Sequence, residues 1–129
     1  MFFHIFSAMI DPDMVIVLRA VPEFADRYLD LVEAADGDPG APVAFTELAD
    51  FAAGLASEFA GQAPVLERCL GAVEEVAATS PEAQEHICWA FLDSLSPDEI
   101  RALIPWLGPR TRALLDELEA GPEHERSTG

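Results

Sequence analysis

Lysine is absent from this sequence, so all seven basic residues are arginines, and they face 24 aspartates and glutamates. The formal net charge is −17. A field of this sign repels nucleic acid and anionic lipid and attracts cationic surfaces. The shortage of basic residues therefore argues against a nucleic-acid or membrane-surface partner and favours a basic protein partner.

Cysteine is also scarce, since the sequence contains only Cys69 and Cys88. Two cysteines without close spacing do not make a disulfide scaffold. Each lies on the apolar side of a helical pattern, where a buried reduced thiol is the usual state of a cysteine. We therefore expect no structural disulfide and a cytoplasmic location.

No apolar run is long enough to span a membrane, which takes about 20 residues. The N-terminal run "MFFHIFSAMI" is interrupted by Asp11 and Asp13, and no basic residue precedes it, as a signal peptide would require. We interpret residues 1–12 as an apolar arm packed on the domain. The alternative is a start codon assigned too early, with Met9 or Met14 as the true start.

The alternation of apolar and polar residues that a half-buried strand requires is missing. Glycine and proline instead divide the chain into segments with helical spacing. We predict helices over residues 13–20, 22–35, 45–60, 64–78, 81–95 and 97–104, and a seventh from residue 109. Residues 36–42 are predicted to form a loop, and Ser96 to Glu99 a capping box.

These segments predict an all-α fold, a compact bundle of six or seven helices in one domain over residues 13–120. The polar residues 121–129 are expected to form a disordered tail. The third to sixth helices form two successive hairpins that begin about 35 residues apart, a spacing also compatible with two stacked hairpins in a HEAT-like array.

The stretch "HICWAFLDSL" brings a histidine and a cysteine together in sequence and raises the question of a metal or thiol site. At about 100° per residue around a helix, His86 and Cys88 point in different directions, so they cannot hold one ion or act as a nucleophile–base pair. Residues 36–47 have the acidic spacing of an EF-hand loop, but Gly40 stands where an oxygen ligand is needed. We therefore predict no metal and no cofactor.

Neighbouring carboxylates such as Glu74 and Glu75 are interpreted as solvated faces. Acid–base catalysis needs a difference in burial that shifts one pKa, and the sequence indicates no such difference here. We predict no catalytic residue and expect that the protein is not an enzyme.

The fifth predicted helix has an unusual outer face. Its apolar arc, which must face the core, runs from Gln84 to Leu95, and the opposite arc places Trp89 among acids. Tryptophan is enriched at the centres of protein interfaces, and carboxylates steer and pair with basic partners. The predicted partner-binding residues are Glu82, Glu85, His86, Trp89 and Asp93, extended by the acidic stripe of the second helix, Asp26, Asp30 and Glu33. The alternative is that a neighbouring helix or the N-terminal arm covers Trp89.

Two further motifs lie in the second half of the chain. The first is formed by Glu82, Gln84, Ile87, Phe91, Leu92, Asp93 and Leu95, and the second by Leu107, Gly108, Pro109, Thr111 and Leu115. An upstream motif is formed by Phe45, Leu48 and Phe51. With these motifs the sequence resembles a family of small, acidic, all-helical bacterial proteins of undefined biochemistry, some of which are similar to immunity proteins of polymorphic toxin systems. Glu85 or His86 stands where that family has an asparagine.

The resemblance implies an all-helical fold and an immunity or antitoxin-like role, and it carries over no catalytic residue. We expect a protein-binding module that occludes a basic toxin, for example a nuclease, which must be cationic to hold its substrate. Two other classes stay open: a structural or regulatory homo-oligomeric module that docks through Trp89, and an enzyme. Both a monomer and a homodimer fit the sequence.

Overall fold

A computed structural model of the protein describes residues 11–57 and 63–128, the last eight by their backbone alone. This part of the chain contains seven α-helices and no strand, which confirms the predicted all-α bundle. From the N-terminus the helices are α1 (Pro12–Ala20), α2 (Ala25–Ala35), α3 (Ala41–Ala56), α4 (Ala63–Ala77), α5 (Pro81–His86), α6 (Pro97–Leu103) and α7 (Pro109–Thr128).

The structure describes only part of the two predicted terminal segments. Nearly all of the predicted arm, residues 1–10, lies outside the described residues, and so do the side chains of residues 121–129. The arm stays a prediction. The predicted disordered tail is at variance with the backbone of residues 121–128, which continues α7 to Thr128. None of the helices in the described ranges is long and apolar enough to cross a bilayer.

Side-chain caps explain where several helices begin. The Asp11 carboxylate accepts the Asp13 N–H at 2.8 Å at the start of α1, and the Ser80 hydroxyl accepts the Ala83 N–H at 3.0 Å at the start of α5. Ser96 and Glu99 form the predicted capping box of α6, because each side chain bonds the backbone N–H of the other.

Helix α3 begins four residues earlier than we predicted. The prediction treated residues 36–42 as a loop because of their prolines and glycines, whereas α3 starts at Ala41 with Pro42 in its first turn. Proline is tolerated there because the first N–H groups of a helix have no intrahelical partner. Gly40 precedes it with φ of 92°, a conformation that residues with a side chain rarely adopt.

The core lies around α3, which packs against α2, α4, α6 and the segment that follows α5. Its largest fully buried side chains are Phe24, Tyr28, Phe45 and Phe91. Helices α4 and α7 close the other side, where Leu115 is buried. Met14 and Leu115, near the two ends of the described side chains, therefore belong to one core cluster.

Two arginines tie peripheral elements to this core. Arg68 of α4 forms a two-bond ion pair with Glu23 and donates to the Ala20 carbonyl at 2.8 Å. Arg27 of α2 bonds both Glu47 and Asp50 of α3, each at 3.0 Å. These two arginines neutralise Glu23, Glu47 and Asp50 and join α4 and α2 to neighbouring elements.

Candidate interaction surface

The helix that carries Trp89 changes its geometry just before the tryptophan. Helix α5 is α-helical only to His86, and residues Ile87–Leu92 form a π-helical segment, so the predicted uninterrupted α-helix to Leu95 is wrong. The Asp93 N–H donates to the Cys88 carbonyl at 3.0 Å, five residues back. Such wide turns are rare and occur frequently at functional sites.

Hydroxyl groups stabilise the end of this π-helical segment. Thr46 of α3 donates to the Ala90 carbonyl at 3.1 Å, and Ser94 donates to the Phe91 carbonyl at 2.9 Å. Thr46 also bonds the Pro42 carbonyl within its own helix, so its single proton is shared between two acceptors. A wide turn removes carbonyl groups from the regular hydrogen-bond pattern of the helix. Here the hydroxyl groups of Thr46 and Ser94 act as hydrogen-bond donors to such carbonyls.

Trp89 is exposed on the outer side of the segment. Its side chain is 60% exposed, more than Val43 at 49% or Leu29 at 39%, while the neighbouring Ile87 and Phe91 are fully buried. The outward placement predicted from helical spacing is therefore confirmed. No helix of the described residues covers the indole, which argues against the alternative of a neighbouring helix over Trp89. The N-terminal arm, the other predicted cover, lies outside the described residues.

A shallow cavity of about 280 Å³, largely open to solvent, lies beside the indole. One wall comes from the first turn of α3 and the other from α5 and the π-helical segment. The lining residues are Pro42, Thr46, Glu85, His86, Trp89 and Ala90. The sequence did not predict the α3 wall, because it exists only through the early start of α3 and its packing against the π-helical segment.

His86 lies between the surface and the core. Its ring is partly buried and stacks on Phe45, with 6.5 Å between the ring centroids and an interplanar angle of 19°. Its Nδ1 is buried and has no hydrogen-bond partner in the described part of the chain. The sequence placed His86 on the outer arc of the helix. In the structure its ring lies against Phe45 of α3 and forms part of the cavity wall.

Three carboxylates near Trp89 in sequence have no basic partner among the described side chains, and one of them, Glu85, lines the cavity with it. Glu82, Glu85 and Asp93 are exposed, and none forms an ion pair within the described ranges. Arginines are instead paired with Glu23, Glu47, Asp50, Asp98 and Asp116. We call the group Glu82, Glu85, His86, Trp89 and Asp93 the Trp89 surface.

Asp13 adds a further acid near this surface, and the sequence did not identify it. Burial raises the pKa of Asp13, and the charges of Asp11 and Glu82 raise it further, against the lowering effects of the Thr79 hydrogen bond and His86. The contact between Asp13 and Thr79 brings the first turn of α1 close to the start of α5. The Thr79 hydroxyl lies 3.3 Å from the Asp13 carboxylate.

The acidic stripe of the second helix lies apart from the cavity. Asp26, Asp30 and Glu33 are exposed on α2 as predicted, and they form no ion pair in the described structure. None of the three lines the cavity beside Trp89. Their part in partner binding stays a prediction.

Glu74, interpreted from the sequence as part of a solvated face, joins two helices instead. Its carboxylate accepts the backbone N–H groups of Arg110 at 2.9 Å and Thr111 at 3.0 Å and the Thr111 hydroxyl at 2.9 Å. Burial alone would raise the pKa of Glu74, but the hydrogen bonds from Thr111 and Arg110 outweigh it and hold that pKa below its usual value. A Cβ at Gly108 would overlap this carboxylate. Glycine at position 108 therefore leaves room for the Glu74 side chain to cap the N-terminus of α7.

The two thiols are poorly suited to chemistry. Cys69 and Cys88 are buried and unbridged, and burial raises the pKa of Cys69 to about 12 and also raises that of Cys88. A thiol needs a lowered pKa to act as a nucleophile. Within residues 11–57 and 63–120, no three His, Cys, Asp or Glu side chains are grouped so that they could hold a metal ion.

Comparisons with known proteins identify no relative of this sequence. No protein-family model matches the sequence, and no curated protein and no solved structure matches it significantly.

Proposed function

We propose that the protein acts by binding a basic protein through the Trp89 surface, as an immunity or antitoxin-like inhibitor of a toxin. The observation that carries this proposal is the 60% exposure of Trp89 near acids that form no ion pair with any arginine whose side chain the structure describes. Tryptophan is enriched among the residues that dominate interface energetics, typically at the centre of the patch.

The charge of the protein supports the same role. A toxin that acts on nucleic acid must present a cationic surface to hold its substrate. A chain of net charge −17 is attracted to such a surface and is steered toward it during diffusion. Binding there excludes the nucleic acid, so inhibition requires no catalytic residue and no cofactor. We place this encounter in the cytoplasm, where unbridged thiols are the rule.

The proposal is tested by co-purification with the products of adjacent genes at low and at high salt. We expect a basic protein to be retained at low salt and lost at high salt, and Trp89→Ala to abolish retention at low salt. If no basic protein is retained at low salt, the proposal is wrong.

Charge-matched variants distinguish the contribution of the Trp89 surface to binding from that of the overall negative charge. Neutralising Glu82, Glu85 and Asp93 together should weaken binding far more than neutralising Glu67, Glu75 and Glu119, which are exposed elsewhere. Equal weakening by the two triple variants would show that net charge alone attracts the partner, without a defined site.

Gel filtration of the isolated protein tests the homo-oligomeric alternative. We expect a monomer, because the same surface must stay open for the partner. A stable dimer that dissociates in Trp89→Ala would replace the proposal with self-association through this surface.

A further inference from the structure

We propose that the cavity beside Trp89 receives an arginine side chain of the partner, with its guanidinium stacked on the indole and paired with the Glu85 carboxylate. This inference rests on the proposed function, because it names the group by which a basic partner is recognised.

The lining of the cavity suits a side chain that is apolar along its stem and cationic at its tip. Pro42 and Ala90 supply apolar wall, against which an aliphatic stem can pack. Glu85 supplies an exposed carboxylate, and Trp89 supplies an aromatic face. A cation over an indole is attracted by the electron density of the ring, and among aromatic side chains tryptophan gives the strongest attraction.

Arginine fits this combination better than lysine does. A guanidinium is planar, so it can stack on the indole while its N–H groups form two parallel bonds to one carboxylate. It is also less strongly hydrated than an ammonium group, so it loses less on leaving water. Among the side chains that the structure describes, no arginine lines the cavity.

The protein already holds one of its own arginines in the same way. The Arg27 guanidinium lies 5.3 Å from the centroid of the Phe51 ring and bonds Glu47 and Asp50, each at 3.0 Å. An aromatic face and neighbouring carboxylates on a helix surface are thus a working arginine site in this fold. The Trp89 surface offers the same groups, a ring with Glu85 beside it, to an arginine from outside.

The test uses the full-length protein and small probes at low salt, followed by the indole N–H signals in nuclear magnetic resonance spectra. The probes are N-acetyl-arginine amide, its lysine analogue and the uncharged citrulline analogue, which has nearly the shape of arginine. The chain has two tryptophans, so Trp106 serves as an internal reference for Trp89.

We expect N-acetyl-arginine amide to shift the Trp89 signal in a saturable way, the lysine analogue to bind several-fold more weakly and the citrulline analogue not to bind. Glu85→Gln should weaken arginine binding about tenfold, because it removes the charge that strengthens the paired bonds. Glu75→Gln carries the same charge change on an exposed site of α4 and should bind as the unmodified protein does.

Equal shifts with arginine and citrulline, or unchanged affinity in Glu85→Gln, would overturn the inference. Failure of the two proposals is distinguishable. If a basic partner binds in a Trp89-dependent manner but N-acetyl-arginine amide does not shift Trp89, the arginine site is wrong and the proposed function stands. If the probe binds as expected and no basic protein is retained at low salt, the proposed function is wrong.

Discussion

Trp89 and Phe91 are two residues apart in one helical segment, yet one is 60% exposed and the other is fully buried. The free energy of folding depends on apolar area removed from water, so the two aromatic rings contribute to different properties of the molecule. Phe91 stabilises the core. The exposed apolar surface of Trp89 remains available for an interface.

Substitutions at these two positions should separate binding from folding. We expect Trp89→Ala to lower the free energy of unfolding by less than about 1 kcal/mol, because most of the side chain is already in water. Phe91→Ala should cost about 3–5 kcal/mol through lost burial and a cavity. Urea unfolding followed by circular dichroism measures both, and a loss in Trp89→Ala as large as in Phe91→Ala would show that the indole supports the fold.

Glu74 should contribute stability that depends on pH. Its folded pKa is lowered, so its contribution is complete above the unfolded pKa of about 4.3 and is lost as the pH falls through the folded value. We expect Glu74→Gln to cost about 1–2 kcal/mol at neutral pH and to flatten the decline of stability in acid. The profile is measured by urea unfolding between neutral and acid pH.

Glu75→Gln is the matched control for Glu74, because Glu75 is the exposed neighbour and makes no side-chain hydrogen bond in the described structure. Gly108→Ala tests the same contact from the other side. The added methyl group would displace the Glu74 carboxylate, so this variant should reproduce the loss. Equal pH profiles for Glu74→Gln and Glu75→Gln would contradict the capping role.

At the scale of elements, the π-helical segment Ile87–Leu92 depends on a contact from another helix. The Thr46 hydroxyl reaches the Ala90 carbonyl from α3, 44 residues away in sequence. A wide turn is stable only where its displaced backbone groups find partners. The position of Trp89 and the shape of the cavity therefore depend on the packing of α3.

Thr46→Val should loosen the segment, since valine keeps the shape of threonine and lacks the donor. We expect a loss of about 1 kcal/mol and faster amide hydrogen exchange at residues 93–95. Ser57→Ala is the control, because its hydroxyl bonds the Gly54 carbonyl within α3 and lies away from the segment. Unchanged exchange in Thr46→Val would show that the π geometry does not need this bond.

The positions of the helices could be predicted from sequence because their causes are local. Proline, glycine and the Ser96 capping box punctuate the chain, and apolar spacing indicates which side of each helix is buried. The same spacing placed Trp89 outside the core. These features require no knowledge of what packs against them.

The remaining features have causes that are distant in sequence. The apolar spacing from Gln84 to Leu95 fits an α-helix, so it gave no sign of the π-helical segment, which Thr46 supports from α3. The cavity needs Pro42 of α3 beside His86, and the Glu74 cap needs α7. Each is a contact between elements, which a periodic pattern within one element does not encode.

At the scale of the whole molecule, the surplus of negative charge opposes folding and favours association with a basic partner. Like charges repel more strongly in the compact state than in the unfolded chain, and the five ion pairs among the described residues involve only four of the seven arginines. Salt screens this repulsion and also the attraction to a basic partner.

Added sodium chloride should therefore have opposite effects on stability and on association. We expect the melting temperature of the isolated protein to rise with salt, and the association rate with the basic partner to fall steeply. Calorimetry measures the first and stopped-flow mixing the second. A melting temperature that falls with salt would show that favourable ion pairs outweigh the net repulsion.

The cap that Glu74 provides for α7 has a consequence for the order in which the protein folds on the ribosome. Its bonds join positions 36 and 37 residues apart, so they form only after Thr111 has left the exit tunnel. Until then the carboxylate is hydrated, and the side of α4 that packs against α7 is open to proteases and chaperones. Nascent chains in which Thr111 is absent or still inside the tunnel should therefore be the ones most readily cleaved, and protection should arrive in one step once α7 can dock.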